Sequence, residues 1–437
     1  MRNSKIVVVG AGSASFGSKT LGDIFSRPEL AGSELWLVDL NETAVDLMWQ
    51  LAKKLSQEWE NKLDIEKSTN LASALPDADF VISMVEVERD RLWQMDFTIP
   101  HKYGVMQVLG ENGGPGGLSH TLRSVPLVLD IAREMEKTCP NAWLLNYTNP
   151  VPRVSRAVKR YTNIKCVGLC HGVMSTVKKI AKILGTEPDN IDVKVAGLNH
   201  FHWVLDVRFV NSGEDAYPLL REKEPLYEPE ERHLWRDLFR RFGYITYPSD
   251  DHIAEYLPLM HVEAFNPWKK YEHDHWLLHW DGKENRRDTT WETIKDMING
   301  DMPTDNLRLG SGERGIPVLL ALRDNLNSYE LALNIPNEGY VTNLPPDCIV
   351  EVPALVSGYG VHGLIMGDLP TPLAGLCNLQ VYVAELAVEA AVTGDRTIAL
   401  QALLIDPVIN DVDVAEQILN EYLSVHAKYL PQFASTL

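Results

Sequence analysis

The chain reads as an α/β protein: a doubly wound parallel sheet with helices on both faces, packed on a second lobe of α+β type. Three observations predict it. Residues 5–9 (Lys-Ile-Val-Val-Val) are apolar almost without interruption, as a strand covered on both faces requires. Apolar runs then alternate with helix-periodic segments to about residue 170, the pattern of parallel strands joined by crossover helices. After about residue 190 that alternation gives way to paired strands and long helical stretches.

Taken in order, a Gly-rich turn follows the first strand, then a helix over about 19–26. A second strand, Glu34 to Asp39, ends in an acid and leads to a helix over 42–59. Further strands are expected at 79–85, at 142–146 after a helix over about 121–137, and at 166–169. Residues 192–196 and 201–210 read as an antiparallel pair, and a charged, Trp-rich helical stretch runs through about 216–300. Strands are expected at 339–343 and 349–352, and amphipathic helix from about residue 376 onward. The expected division is 1–190 and 191–437, with the site in the cleft between the two units.

At 437 residues the chain can bury a large core. Its net charge of −19 (41 basic against 60 acidic residues), without any basic cluster, argues against nucleic acid and anionic membrane surfaces as partners. No apolar run reaches the roughly 18 residues that span a bilayer. The N-terminus passes almost at once into a strand, which leaves no room for a cleavable signal. Five cysteines are too few and too scattered for a disulfide framework, so a reducing, cytoplasmic setting is expected.

Gly10-Ala-Gly12-Ser13-Ala14-Ser15-Phe16 lies between the first strand and its helix, with Ser15 at the third glycine position. Gly10 suits the tight turn, and Gly12 lets a pyrophosphate approach the backbone at a helix N-terminus. Asp39, ending the second strand, suits ribose hydroxyls and favours NAD over NADP. Together these make the N-terminal unit a Rossmann-type nucleotide-binding domain. The run Gly110-Glu111-Asn-Gly-Gly-Pro-Gly-Gly117 is either a surface turn or a loop whose backbone must approach a ligand or another chain. Asn146-Tyr-Thr-Asn149-Pro150 follows a buried strand at the sheet's carboxyl edge, where amides suit sugar hydroxyls or a nicotinamide.

Cys170 and His200 could converge on one divalent metal. Two ligands are too few for a closed structural zinc site but leave room for substrate oxygens and water in a catalytic one. His171 could donate a proton, and His202 is a supporting candidate on the same strand face as His200. Ser249-Asp-Asp251-His252-Ile-Ala-Glu255-Tyr256 offers acids, an imidazole and a phenol; the same residues also make an ordinary capped helix start.

At these residues the chain resembles glycoside hydrolase family 4, the NAD- and divalent-metal-dependent glycosidases. The resemblance runs essentially end to end. It rests on the motifs at 8–13, 113–117, 146–150, 170–173 and 197–200. Ser311-Gly-Glu313, Asn334-Ile-Pro-Asn337-x-Gly339 and Asn343 through Glu351-Val-Pro353 continue the series. It implies oxidation at sugar carbon 3 by NAD, loss of the carbon 2 proton to an enzymic base, elimination of the aglycone, addition of water and re-reduction. It also implies a metal, usually manganese, held by Cys170 and His200. Carried over, Asn149 and Asn199 fall in substrate-contact motifs, Glu111 and Asn146 in cofactor-side motifs. His171 falls at the acid, and the base falls in the 249–256 segment, Asp251 ahead of His252. Cys170-His171 resembles the branch acting on unphosphorylated α-glycosides: glucosides first, with galactosides and uronides open. Arg314 or another arginine would supply the cation a uronide needs. A homodimer or homotetramer is implied as well. The competing readings are an NAD-dependent dehydrogenase with net redox turnover and a non-catalytic NAD-dependent sugar sensor.

Overall fold

A computed structural model describes residues 3–228, 233–258, 277 and 288–434. Its main sheet has nine strands. Six are parallel: β1 (Lys5–Val9), β2 (Glu34–Val38), β3 (Asp64–Ser68), β4 (Phe80–Ser83), β5 (Trp143–Asn146) and β6 (Lys165–Gly168). β7 (Ile191–Leu198) and β8 (Phe201–Phe209) form a separate antiparallel hairpin. β9 (Ser328–Pro336), β10 (Ile349–Ser357) and β11 (Gly360–Gly363) return to the first sheet, where β9 pairs antiparallel to β6. The order is β11-β10-β9-β6-β5-β4-β1-β2-β3, so the winding reverses between β1 and β4.

β1 shows why its sequence is apolar throughout. Ile6 and Val8 face one core, Val7 and Val9 the other, and all four are buried. Helices cover both faces. The first core takes α1 (Gly17–Phe25), α2 (Glu42–Glu58) and later α7 (Gly172–Leu184) with the β7–β8 hairpin. The second takes α5 (Gly114–Thr138) and α6 (Val151–Tyr161). Between them in the chain lie α3 (Leu71–Ala74) and α4 (Arg89–Lys102). The helical stretch after the hairpin includes α8 (Tyr217–Lys223), α9 (Leu234–Phe242), α10 (Asp250–Ala254) and α11 (Asp288–Asn299). The parts expected at 229–232, 259–276 and 278–287 lie outside the described residues. α12 (Gly315–Asp324), α13 (Thr371–Thr393), α14 (Arg396–Ile405) and α15 (Val412–Val425) complete the chain.

Several expectations are corrected. β3, α4, β9 and β11 were not expected. β3 is a polar edge strand in which Ile65 is the one buried side chain, so its alternation is faint. α4 carries Pro100 inside it and little amphipathic pattern. Residues 339–343 are not a strand. The Asn337 amide bonds the carbonyls of Val341, Leu344 and Pro345, and that coils the segment into a turn with a single bridge, Val341 to Gly367. The glycine run is not an open loop either: α5 begins at Gly114 with Pro115 in its first turn. A Cβ at Gly116 would lie 2.6 Å from the Gly110 Cα, and one at Gly113 2.5 Å from the Glu255 carbonyl oxygen. The glycines thus permit close approach within the chain itself. One described helix, α13, is long and apolar enough by length and composition to cross a membrane; in the fold it packs against α5, α6 and α14.

Candidate active site

The carboxyl ends of the strands at the β1/β4 reversal open onto a cleft of about 310 Å³. On its nucleotide side Gly10 turns at φ +84°, where a Cβ would lie 2.6 Å from the Met84 carbonyl oxygen. The Gly12 N–H donates to Asp39 Oδ2 at 2.8 Å, and Asp39 Oδ1 accepts from the Asn41 N–H at 2.9 Å. The acid ending β2 therefore sits directly against the glycine turn. Ser13, Ser15 and Phe16 line the cleft; Ala14 lies in the same turn without lining it. Close helix-to-turn packing, the third glycine's role, falls to Gly17 rather than to position 15: a Cβ on Gly17 would collide with the Ala11 carbonyl oxygen. Asn149 lines the cleft, whereas Asn146 is fully buried beneath it. The Asn146 amide accepts from the Ser83 hydroxyl and donates to the Thr148 carbonyl.

Opposite, Cys170 Sγ lies 3.2 Å from His200 Nε2. Cys170 follows β6, and His200 sits in the β7–β8 turn at φ +59°. Burial, reinforced by the Glu313 and Glu351 carboxylates, pushes the Cys170 thiol well up. Burial beside other imidazoles pushes His200 well down, so both groups are neutral in the metal-free protein. A soft sulfur and an imidazole nitrogen side by side suit a divalent transition metal. Among the described residues, no group of three or more His, Cys, Asp or Glu side chains could hold a metal. A metal here would keep open positions. Asn112 borders the pair: its Nδ2 stands 3.3 Å from His200 Nδ1 and 3.4 Å from Glu111 Oε2, while its buried Oδ1 has no hydrogen-bond partner among the described residues.

Two histidine–carboxylate pairs flank these ligands. His171 Nδ1 is 2.7 Å from Glu313 Oε1, and that hydrogen bond holds the imidazole above its ordinary pKa despite partial burial. His252 Nδ1 is 2.8 Å from Asp251 Oδ1. Burial alone would lower His252, and the Asp251 carboxylate reverses it. The His252 ring meets the His200 ring edge-on at 4.6 Å, with the Tyr247 ring 5.0 Å away. His171, His252, Tyr247 and Glu313 all line the cleft. Asp251 does not; its carboxylate is held by His252 and the Ser249 hydroxyl.

Among the described cleft residues Arg89 is the one arginine or lysine. It bonds Glu86 and Glu111 and lies 4.5 Å over the Trp93 ring. Arg314 is outside the cleft lining and forms a two-point pair with Glu330, at 2.7 and 2.9 Å. Asn199 and His202 are buried just behind Cys170 and His200, on Glu351. Reading the residues singly missed Gly17, Glu86, Arg89, Tyr247, Glu313 and Glu351 as parts of this site. Only Ser311-Gly-Glu313 and Glu351-Val-Pro353 had given any signal, as motifs without a role.

Known proteins resemble the chain along nearly its whole length. The model for "Family 4 glycosyl hydrolase" matches residues 5–186, and that for its C-terminal domain matches residues 195–409. The chain is 34% identical to an α-glucosidase of Erwinia rhapontici, over 98% of the chain and 99% of the relative. It is 31% identical to an α-galactosidase of Bacillus subtilis, over 98% and 99%. A solved 6-phospho-α-glucosidase from gut microorganisms, in complex with NAD and Mn2+, shares the fold with a TM-score of 0.84 at 22% identity, over 98% and 99% of the two chains.

Proposed function

Since the chain belongs to the family 4 glycosyl hydrolases, we propose that it hydrolyses α-glycosides of unphosphorylated sugars, α-glucosides first, with NAD and manganese as cofactors. The observation that carries this reading is the Cys170/His200 pair between two histidine–carboxylate pairs at the mouth of a nucleotide cleft. When bound, NAD supplies a hydride acceptor for sugar carbon 3 and the metal a Lewis acid for the oxygens on carbons 2 and 3.

The chain's own groups do the rest. The turn from Gly10 to Phe16, with Asp39, holds the dinucleotide, and Glu111 and Asn146 support that side. Asn149 and Asn199 orient the sugar. Asp251 holds His252 by Nδ1, which leaves Nε2 to take the carbon 2 proton. Glu313 holds His171 by Nδ1 and raises its pKa, which favours the protonated ring that gives a proton to the departing aglycone oxygen. Tyr247, whose phenol is pushed up by burial, stays neutral and packs beside His252. Arg89 is already matched by Glu86 and Glu111, and Arg314 by Glu330, which favours an uncharged hexoside over a uronide. We further assign residues 1–190 to the nucleotide and 191–437 to substrate, metal and self-association, and the working form to a cytoplasmic homodimer or homotetramer.

The test is a panel of p-nitrophenyl α- and β-glycosides, uronides included, with NAD, manganese(II) and a reductant. Nitrophenol and NADH absorbance are followed together. Release of nitrophenol that needs both cofactors, without stoichiometric NADH, is expected and names the sugar. NADH accumulating without release would mean a dehydrogenase instead.

A further inference from the structure

Behind the metal pair lies a buried carboxylate that the reaction itself does not use. Glu351, on β10, is 1% exposed. Its register partner on β9 is Asn334, which pairs in turn with Gly168 of β6, two residues before Cys170. The sheet extension thus carries Glu351 to the end of the strand that delivers the sulfur ligand. Both its oxygens are engaged. Oε1 accepts from Asn199 Nδ2 at 3.1 Å and from Asn334 Nδ2 at 3.2 Å; Oε2 lies 2.8 Å from His202 Nδ1. His202 is fixed at its far side by the Thr176 hydroxyl, 3.0 Å from Nε2.

His200 lies between Asn199 and His202 in the chain. Glu351 therefore grips the hairpin turn on both sides of the imidazole ligand, where the backbone holds a left-handed conformation at φ +59°.

Resting on the metal reading above, we infer that Glu351 is a positioning residue for the divalent metal: it aims His200 by holding Asn199 and His202 on either side of it in the hairpin. Partners one layer behind metal ligands typically change affinity 10- to 100-fold, and about that loss is expected here.

Cobalt(II) is the probe, because a thiolate ligand gives it a charge-transfer band, with manganese(II) measured by competition. Dissociation constants are compared for the wild type, Glu351→Gln and Glu351→Ala, with NAD affinity and metal-free melting temperature measured alongside. Glu351→Gln keeps the shape but removes the charge and one of the two acceptors that hold Asn199, Asn334 and His202. The expected result is a cobalt dissociation constant raised roughly 10-fold or more, with NAD affinity within about twofold of wild type. Cobalt affinity unchanged in Glu351→Gln overturns the inference, whether or not Glu351→Ala folds. Equal losses of cobalt and NAD affinity overturn it too, since they mark general destabilisation. A wild type that binds cobalt without a thiolate band, or not at all, removes the metal reading itself and is distinct from either outcome.

Discussion

Glu255 gives the prediction most directly worked from geometry. It follows α10, is 1% exposed, and accepts the backbone N–H groups of Glu111 at 2.6 Å and Asn112 at 2.8 Å through one oxygen. Its other oxygen is buried and makes no hydrogen bond among the described residues. Burial is the largest influence and pushes the carboxyl up from 4.5 to about 7; His252 opposes the rise and Glu111 adds to it. In the unfolded chain the group ionises near 4.5. Below that pH both states are protonated and the fold keeps its full stability. As pH rises from 4.5 to 7 the unfolded chain loses the proton first, and stability falls by about 1.4 kcal/mol per pH unit. Above 7 the accumulated loss is about 3 kcal/mol, with no discount for solvent screening at so buried a group. Glu255→Gln keeps an oxygen for both N–H groups and carries no charge. Its stability relative to wild type should therefore be near zero at pH 4.5 and rise to about +3 kcal/mol by pH 8. Urea unfolding of the metal-free, NAD-free proteins at pH 4.5, 6, 7 and 8 measures this. A constant difference across that range, or a wild type that gains on the variant as pH rises, refutes the burial argument.

Three further outcomes are expected. His171→Asn should lower kcat on alkyl α-glucosides about 100-fold or more but on p-nitrophenyl α-glucoside less than about tenfold, because nitrophenolate leaves without a proton; equal losses on both would remove the acid role. Gly17→Ala drives a methyl group into the Ala11 carbonyl, so melting temperature should fall and the NAD dissociation constant rise about tenfold, both read by thermal and fluorescence titration. An unchanged NAD affinity would detach Gly17 from the nucleotide turn. Glu86→Gln releases one of the two carboxylates that hold Arg89, so kcat/KM for an α-glucuronide relative to an α-glucoside should rise about tenfold. A falling ratio would count against Arg89 as the element that selects for sugar charge.

The parallel half was legible because its strands are buried on two faces. Lys5–Val9 can be little else than a central strand, and the turn after it carries its own glycine signature. β3 and α4 were hidden because one lies at a polar edge and the other has no clean apolar stripe. β9 and β11 were not read as strands, and nothing local shows that β9 pairs with a strand some 170 residues earlier. In the site, Cys170, His171, His200 and His252 stood out through their own chemistry. Glu313, Glu351 and Arg89 did not, because a carboxylate or guanidinium is ordinary until its partner is known. Arg314 shows the converse: a plausible cation in sequence, already paired with Glu330 in space.

The junction of β6 with β9 also imposes an order of events on synthesis. Strands β1 to β6 can be laid down as the first 168 residues emerge, yet β6 then presents a bare row of amide and carbonyl groups along its outer side. Residues 328–336 later meet that row at one position, Gly168 against Asn334, and Glu351 reaches the metal ligands later still. During that interval the nascent chain carries an open sheet edge, the kind of surface that recruits a second strand from a neighbouring chain. A fragment ending near residue 190 would keep that edge permanently and should self-associate through it. The last strands added thus move that side's outer edge from β6 to the short strand β11.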